Sequence, residues 1–254
     1  MIQDKAVNSL ILFFNALQTY KGHANEGSQF EEIIRQLLRN YGFMQKLWDK
    51  TNDQIFNLSL KESTKKNIKK QIIEKNNIEL IRNPDKNLAY IYIYQPFGSQ
   101  NYPDFLVITE EWIIPIEIKF STHSEDNHLP KWNSNIPKSN CIYIYSQVNK
   151  DIIYFLGSDF IGNDARVLLN NFFVDFNEEM ATKLKVLKDK IISQNAKNNP
   201  FGIKPYIRKD YVYDKSFSSC PNEVVNGIYD YAKINHWKEN LLHFLQELEF
   251  NDEE

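Results

Sequence analysis

Three side chains in the stretch 103–119 have the types and the spacing for phosphodiester chemistry. Asp104 opens one apolar run, a short turn at Glu110 and Glu111 follows, and the next run carries Glu117 and Lys119. In a β-strand successive side chains leave on opposite faces. Ile114, Ile116, Ile118 and Phe120 then share one face toward the core, and Pro115, Glu117 and Lys119 share the other. Glu117 and Lys119 become neighbours about 7 Å apart along the strand, and a hairpin returns Asp104 to the same end. Hard carboxylate oxygens suit Mg²⁺, which neutralises phosphate charge and lowers the pKa of a bound water. The ammonium can position or deprotonate that water and stabilise charge growing on phosphorus. The competing reading is an ordinary hairpin, with Asp104 as a turn residue and Glu117 and Lys119 as a solvated pair.

The elements that must position these residues follow from hydrophobic period. Residues 5–21 place Val7, Leu10, Ile11, Phe14, Leu17 and Tyr20 at helical spacing, and Gly22 can close the helix. A second helix is expected over 28–41, with Phe30, Ile33, Ile34, Leu37, Leu38 and Tyr41 on one face. Residues 45–85 read as helical. The period then changes to 2, which predicts strands over 88–95, 105–109, 112–120 and 141–146, and a further one over 151–156. A helix over 180–194, a strand over 203–213 and a closing helix over 236–248 complete the reading. Helices, then adjacent strands, then mixed elements predict one α/β (α+β) domain around a central mixed sheet.

Composition narrows the classes. The chain has 254 residues with 42% hydrophobic content, 17 Phe, 14 Tyr and 4 Trp, enough to build a sizeable core and too much for intrinsic disorder. The longest apolar run, 10–14, is far short of the roughly 20 residues that span a bilayer. The N-terminus lacks the pattern of a secretory signal, so a soluble cytoplasmic protein is expected. Cys141 and Cys220 alone make neither a disulfide framework nor a four-ligand zinc site. His23, His123, His128, His236 and His243 lack metal-ligand spacing and read as structural or exposed. Neither a Gly-rich phosphate loop nor a Gly-x-Ser-x-Gly elbow occurs, which counts against an ATPase or an esterase.

Net charge is 30 − 33 = −3, which by itself argues for no nucleic-acid partner. The distribution is uneven. Residues 61–75 carry 6 − 2 = +4 and residues 183–204 carry 6 − 1 = +5, offset by the acidic C-terminus. Each stretch is either a solvated helix face or a track for phosphates.

Pro103-Asp104 followed by Glu117-Ile118-Lys119 resembles the PD-(D/E)xK nuclease motif, shared by most type II restriction endonucleases and many repair nucleases. The gap of 12 residues between Asp104 and Glu117 is within that superfamily's usual range. Residues 96–100 are similar to the approach to this motif in some restriction enzymes. Gly27-Ser28-Gln29-Phe30-Glu31 is similar to the pattern by which a helix before the core sheet aims a glutamate at the metal site. Ser28 and Glu31 also form a possible capping box, and both readings stand at this point.

The resemblance implies a restriction-endonuclease-like core with a central mixed β-sheet flanked by helices. It implies a single domain over 1–254, with a catalytic core at about 27–146, a helical insertion at about 45–85 and a C-terminal extension at about 160–254. It assigns catalysis to Asp104, Glu117, Lys119 and Glu31, and metal ligation to Asp104, Glu117 and Ile118. Mg²⁺ is the implied cofactor, with Mn²⁺ as a substitute. Double-stranded DNA is the implied substrate, a homodimer the implied assembly, and a cognate DNA methyltransferase the implied companion in a prokaryotic cytoplasm. Gln100 and the polar loop residues Lys131, Asn133, Asn135 and Lys138 are the candidate DNA contacts, Asn and Lys being common readers of bases and phosphates. The loop's other reading is a surface turn. The alternatives to a site-specific endonuclease are a repair or junction-resolving nuclease of the same fold and a non-catalytic DNA-binding protein.

Overall fold

The computed structural model describes residues 2–20, 24–48, 57–74, 80–123, 129–132, 136–194, 199–207, 210–214, 216 and 227–251. A short pair, β1 (Ile2–Gln3) with β9 (Phe250–Asn251), ties the two ends of the described chain together. The central sheet runs β2 (Met44–Lys46), β4 (Ile91–Tyr94), β5 (Phe105–Ile108), β6 (Trp112–Ser121), β7 (Ile142–Gln147) and β8 (Ile153–Leu156). A seventh strand, β3 (Ile81–Arg82), pairs with the start of β6. The β2–β4 and β6–β7 ladders are parallel and the rest antiparallel, so the sheet is mixed. β6 is the longest strand and has β5 on one edge and both β3 and β7 on the other.

Helices cover both faces. α1 (Lys5–Thr19), α2 (Gly27–Asn40) and α7 (Trp237–Glu249) bury Leu10, Phe14, Ile34, Leu38 and Leu241 against Ile114, Ile116 and Ile118. The alternation of β6 therefore delivers the expected core face. The opposite face is not a polar one. α3 (Glu62–Glu74) and α6 (Ile228–Ile234) help to close a second core there, in which Ile68, Ile228 and Trp237 join Leu106, Ile113, Tyr143, Tyr145 and Phe155. Glu117 and Lys119 sit at the margin of this second core and are half-buried rather than solvated.

Four expectations are corrected. Among the described residues of the 45–85 stretch helix forms only as α3; Gln45 and Lys46 belong to β2, whose backbone completes the ladder beside β4, and Ile81–Arg82 is strand. The strand expected at 203–213 does not form among the described residues: they make no ladder, and Ile203, Tyr206 and Val212 stand exposed with no sheet face to bury them. The helix expected at 180–194 is the second half of α5 (Asn163–Ser193), which follows the short α4 (Gly157–Phe160). In its first half the exposed Val167, Leu168, Phe172 and Val174 surround the half-buried Leu169, Phe173 and Phe176, which blurs the helical period in the sequence. The fourth correction is α6, which the sequence reading lacked.

Arg166 anchors α5. It is fully buried, and its guanidinium donates to the carbonyls of Pro137 (2.6 Å), Ile161 (2.6 Å) and Gly157 (3.0 Å) and to the Asn163 side chain. Gly157 is required at this junction, since a Cβ there would lie 2.0 Å from the Lys138 carbonyl oxygen. Among the described residues no helix is long and apolar enough to cross a membrane.

Candidate active site

The β5–β6 ladder ends at the pair Phe105–Ile116. One step further the strands separate, and the Asp104 side chain takes the place of a backbone partner: its Oδ2 accepts from the Ile118 N–H at 2.7 Å. The Asp104 N–H in turn donates to Glu117 Oε2 at 3.2 Å, and Lys119 Nζ donates to Glu117 Oε1 at 2.7 Å. Asp104, Glu117 and Lys119 are thus brought together by direct hydrogen bonds. Beside them, β7 places Tyr143 in register with Glu117 and Tyr145 in register with Lys119. Burial pushes the ionisations of Tyr143, Tyr102 and Cys141 upward, so these neighbours stay neutral and add no negative charge of their own.

Charge is consequently short on one side. Burial, then the neighbouring Glu117 carboxylate, pushes the Asp104 carboxyl up to about 8, against the opposing pull of the Ile118 N–H. The Glu31 charge raises it further and Lys119 lowers it. Glu31 therefore reaches the site through its field. It lies on α2, and its Oε2 accepts from the Tyr94 hydroxyl at 2.5 Å, while Gln95 Nε2 donates to the same hydroxyl at 2.8 Å. Burial and Glu31 together hold the Tyr94 phenol neutral, pushed up to about 12. The capping-box reading of Glu31 is not what forms. α2 is capped at Glu26 without a side-chain cap bond, and Ser28 Oγ donates to Glu26 Oε1 at 2.6 Å.

Lys119 also lies 5.7 Å from the ring centre of Trp132, whose indole N–H donates to the Tyr213 hydroxyl at 2.5 Å. Tyr213 donates onward to the Pro130 carbonyl at 2.8 Å. The segment beyond α5 thereby holds the loop that walls the site. A groove of about 330 Å³ opens beside Lys119, bounded by Gly27 at the start of α2, Ser121 at the end of β6, and Pro130 and Lys131.

The candidate DNA contacts separate into groups. Lys131 is exposed on the rim of that groove. Gln100 is exposed on the turn that leads into Asp104. Lys138 is withdrawn from solvent: its Nζ donates to the Ile73 carbonyl at 3.2 Å and lies 5.4 Å from the Tyr102 ring centre. A buried ammonium with these partners serves the core and does not reach a phosphate. Asn133 and Asn135 lie outside the described residues, as do Lys75, Lys197, Cys220, His23 and His128. In the lysine-rich α3, Lys65 is likewise buried, donating to the Trp48 carbonyl at 2.6 Å.

Tyr94, Gln95 and Trp132 are the site neighbours that motif spacing did not nominate. Tyr94 was visible only as one aromatic of an alternating strand, and its partner Glu31 lies 63 residues away. Among the described residues no three His, Cys, Asp or Glu side chains form a ready metal cluster. Mg²⁺ is commonly held by one or two carboxylates with water and substrate phosphate, not by an all-protein cage. Asp104 and Glu117 fit that habit, and the crowding that raises the Asp104 carboxyl is what a divalent cation would relieve. Ile118 has only its main-chain carbonyl to offer; in an extended strand this leaves on the same edge as the N–H that Asp104 accepts. No family model, curated protein or solved structure matches the chain.

Proposed function

We propose that this chain is a Mg²⁺-dependent endonuclease that hydrolyses phosphodiester bonds of double-stranded DNA at specific sites, built on a restriction-endonuclease-like core. The observation that carries the reading is the hydrogen-bonded set Asp104–Glu117–Lys119 at the point where β5 and β6 part, with Lys119 lining the neighbouring groove. Asp104, Glu117 and the Ile118 carbonyl would hold the metal. When bound, the metal supplies charge neutralisation on the phosphate and a lowered pKa for the attacking water. Lys119, pinned between Glu117 and the Trp132 ring, holds that water and faces the charge developing on phosphorus. Glu31, braced by Tyr94 and Gln95, adds negative field at Asp104 and so favours a bound cation. Lys131 and Gln100, both exposed, would meet the duplex, with Mn²⁺ as the substitute metal, a homodimer as the working assembly and a DNA methyltransferase as the protective companion.

The long α5 and the segment after it favour site-specific cleavage over junction resolution, because they give the chain far more surface than a cleavage core needs. Plasmid and phage DNA incubated with the protein tests this. Discrete fragments with Mg²⁺ or Mn²⁺, uniform end sequences, and binding without cutting in Ca²⁺ support the proposal. Cutting in excess chelator overturns the two-carboxylate mechanism. Salt-dependent binding without cleavage under any metal leaves a non-catalytic DNA-binding protein.

A further inference from the structure

α5 spans 31 residues, about 46 Å at 1.5 Å per residue. Its only fully buried residue is Arg166, in the first turn. Beyond that turn, Leu169, Phe173, Phe176, Met180, Leu184 and Leu187, continued by Ile191, form a stripe at spacings of three and four that the chain covers only in part. Beside it Leu168 is 71% exposed, Phe172 61% and Val186 50%. A segment after the helix lies along one flank, with Tyr211 against Phe173 at 5.2 Å between ring centres. It leaves an apolar groove of about 660 Å³ between Leu184, Leu187 and Ile191 on the helix and Gly202 and Ile203 opposite. So long an apolar stripe, only half covered and flanked by exposed Leu168, Phe172 and Val186, is the signature of a docking face.

Two features of this helix say what covers it. The stripe is a palindrome about Met180: Phe176 and Leu184 lie four residues on either side, Phe173 and Leu187 seven, Leu169 and Ile191 eleven. The charges are antisymmetric about the same point. Asp164, Asp175, Glu178 and Glu179 precede Met180, whereas Lys183, Lys185, Lys188 and Lys190 follow it against Asp189 alone. A second copy laid antiparallel matches every apolar side chain with an apolar one and sets the acidic half of each helix against the basic half of the other. A parallel copy sets acid on acid. Glu179 and Lys183 flank the stripe nearest its centre and pair with each other at 3.6 Å in exposed positions, so both can turn to a partner.

We propose that two copies of this chain associate through α5 laid antiparallel on α5, about a two-fold axis at Met180. The pairing is isologous and closes at two subunits. The aromatic half of one helix, Phe173 and Phe176, fills the groove at Leu187 and Leu184 of the other. The inference does not rest on the nuclease reading, and it names a surface that the site chemistry does not.

Sedimentation velocity on the full chain, with and without Mg²⁺, tests it without any activity readout. The wild-type protein is expected to be a dimer. Met180→Glu puts two carboxylates on the axis and is expected to weaken the dimer about 100-fold, with helix content unchanged because Met180 is only half-buried within its own chain. The orientation is read from cysteines in a Cys220→Ser background. Met180→Cys is expected to oxidise to a covalent dimer, whereas Leu184→Cys does not, because the two copies of that position lie about 12 Å apart along antiparallel axes. A wild-type monomer at tens of micromolar overturns the proposal. So does a dimer indifferent to Met180→Glu, and self-linking at Leu184→Cys overturns the antiparallel order. A dimer that never cuts DNA, or a monomer that does, tells this proposal's failure from that of the nuclease reading.

Discussion

Asp104→Asn should make the metal-free protein more stable, by an amount that grows with pH. The carboxyl is held at about 8 in the folded chain by burial and by Glu117, against about 3.9 when unfolded. The folded state therefore binds a proton that the unfolded state has released. The stability this contributes is complete below about pH 4 and is lost as pH rises through 8. At about 1.4 kcal/mol per pH unit over about four units, the loss has a ceiling of about 5–6 kcal/mol. Water penetration and small movements of Glu117 relieve part of it, so about 2 kcal/mol is the expected gain for the variant at pH 8.5, or about 4–8 °C in Tm for a chain of this size. Asparagine keeps the bond from the Ile118 N–H, because its side-chain oxygen can still accept. The assay is thermal unfolding of both proteins in excess chelator at about pH 3.5 and 8.5. The expected result is near-equal melting at the acid pH, below the unfolded pKa, and a higher-melting variant at about pH 8.5. Added Mg²⁺ should raise the wild-type Tm and leave the variant nearly unmoved. A variant that melts lower than wild type at pH 8.5, or a difference that does not widen with pH, would refute the reasoning that Asp104 is a crowded, buried acid awaiting a cation.

Lys119→Ala should abolish cleavage while retaining Ca²⁺-supported DNA binding in a shift assay. It should also cost about 1–2 kcal/mol in chelator, because Glu117 loses the partner at 2.7 Å. Glu31→Gln should slow cleavage severely with a change in Tm under about 2 °C, since no helix cap is lost, and Tyr94→Phe should reproduce part of that rate loss in the same kinetic assay. Lys131→Ala should weaken DNA affinity and lower its salt slope by about 1. Lys138→Met should leave the slope untouched, since that ammonium is buried; titrations between about 50 and 200 mM salt compare the two. Arg166→Leu, which orphans the carbonyls of Pro137, Gly157 and Ile161, should cost about 3–5 kcal/mol in denaturant unfolding.

The site was legible in the sequence where period-2 alternation and chemistry coincide. Asp104, Glu117 and Lys119 lie on two consecutive strands whose apolar residues alternate cleanly, so their convergence needed only a hairpin, and the register supplies it. What alternation cannot tell is whether the second face is wet. Tyr143 and Tyr145 cover it from β7, and their strand looks the same in sequence whichever face is buried. Lys65 and Lys138 were misread for the same reason. A lysine in a polar segment reads as solvated, and only the tertiary fold reveals that the carbonyls of Trp48 and Ile73 are waiting for an ammonium.

Glu31 marks the boundary between the two kinds of knowledge. Its sequence neighbours support a cap and a site role alike, and local physics alone cannot choose between them. The choice is made by Tyr94, whose hydroxyl draws the carboxylate inward across the gap between α2 and β4. That hydrogen bond satisfies the Tyr94 hydroxyl, and it also brings a second carboxylate charge, after that of Glu117, within range of the buried Asp104 carboxyl. A fold selected for stability alone would turn Glu31 outward, toward Arg35 and Arg39, as Glu32 does. Three acids facing one lysine are a liability without a cation and an asset with one. The same geometry that makes Asp104→Asn stabilising in chelator should therefore make it inactive in Mg²⁺.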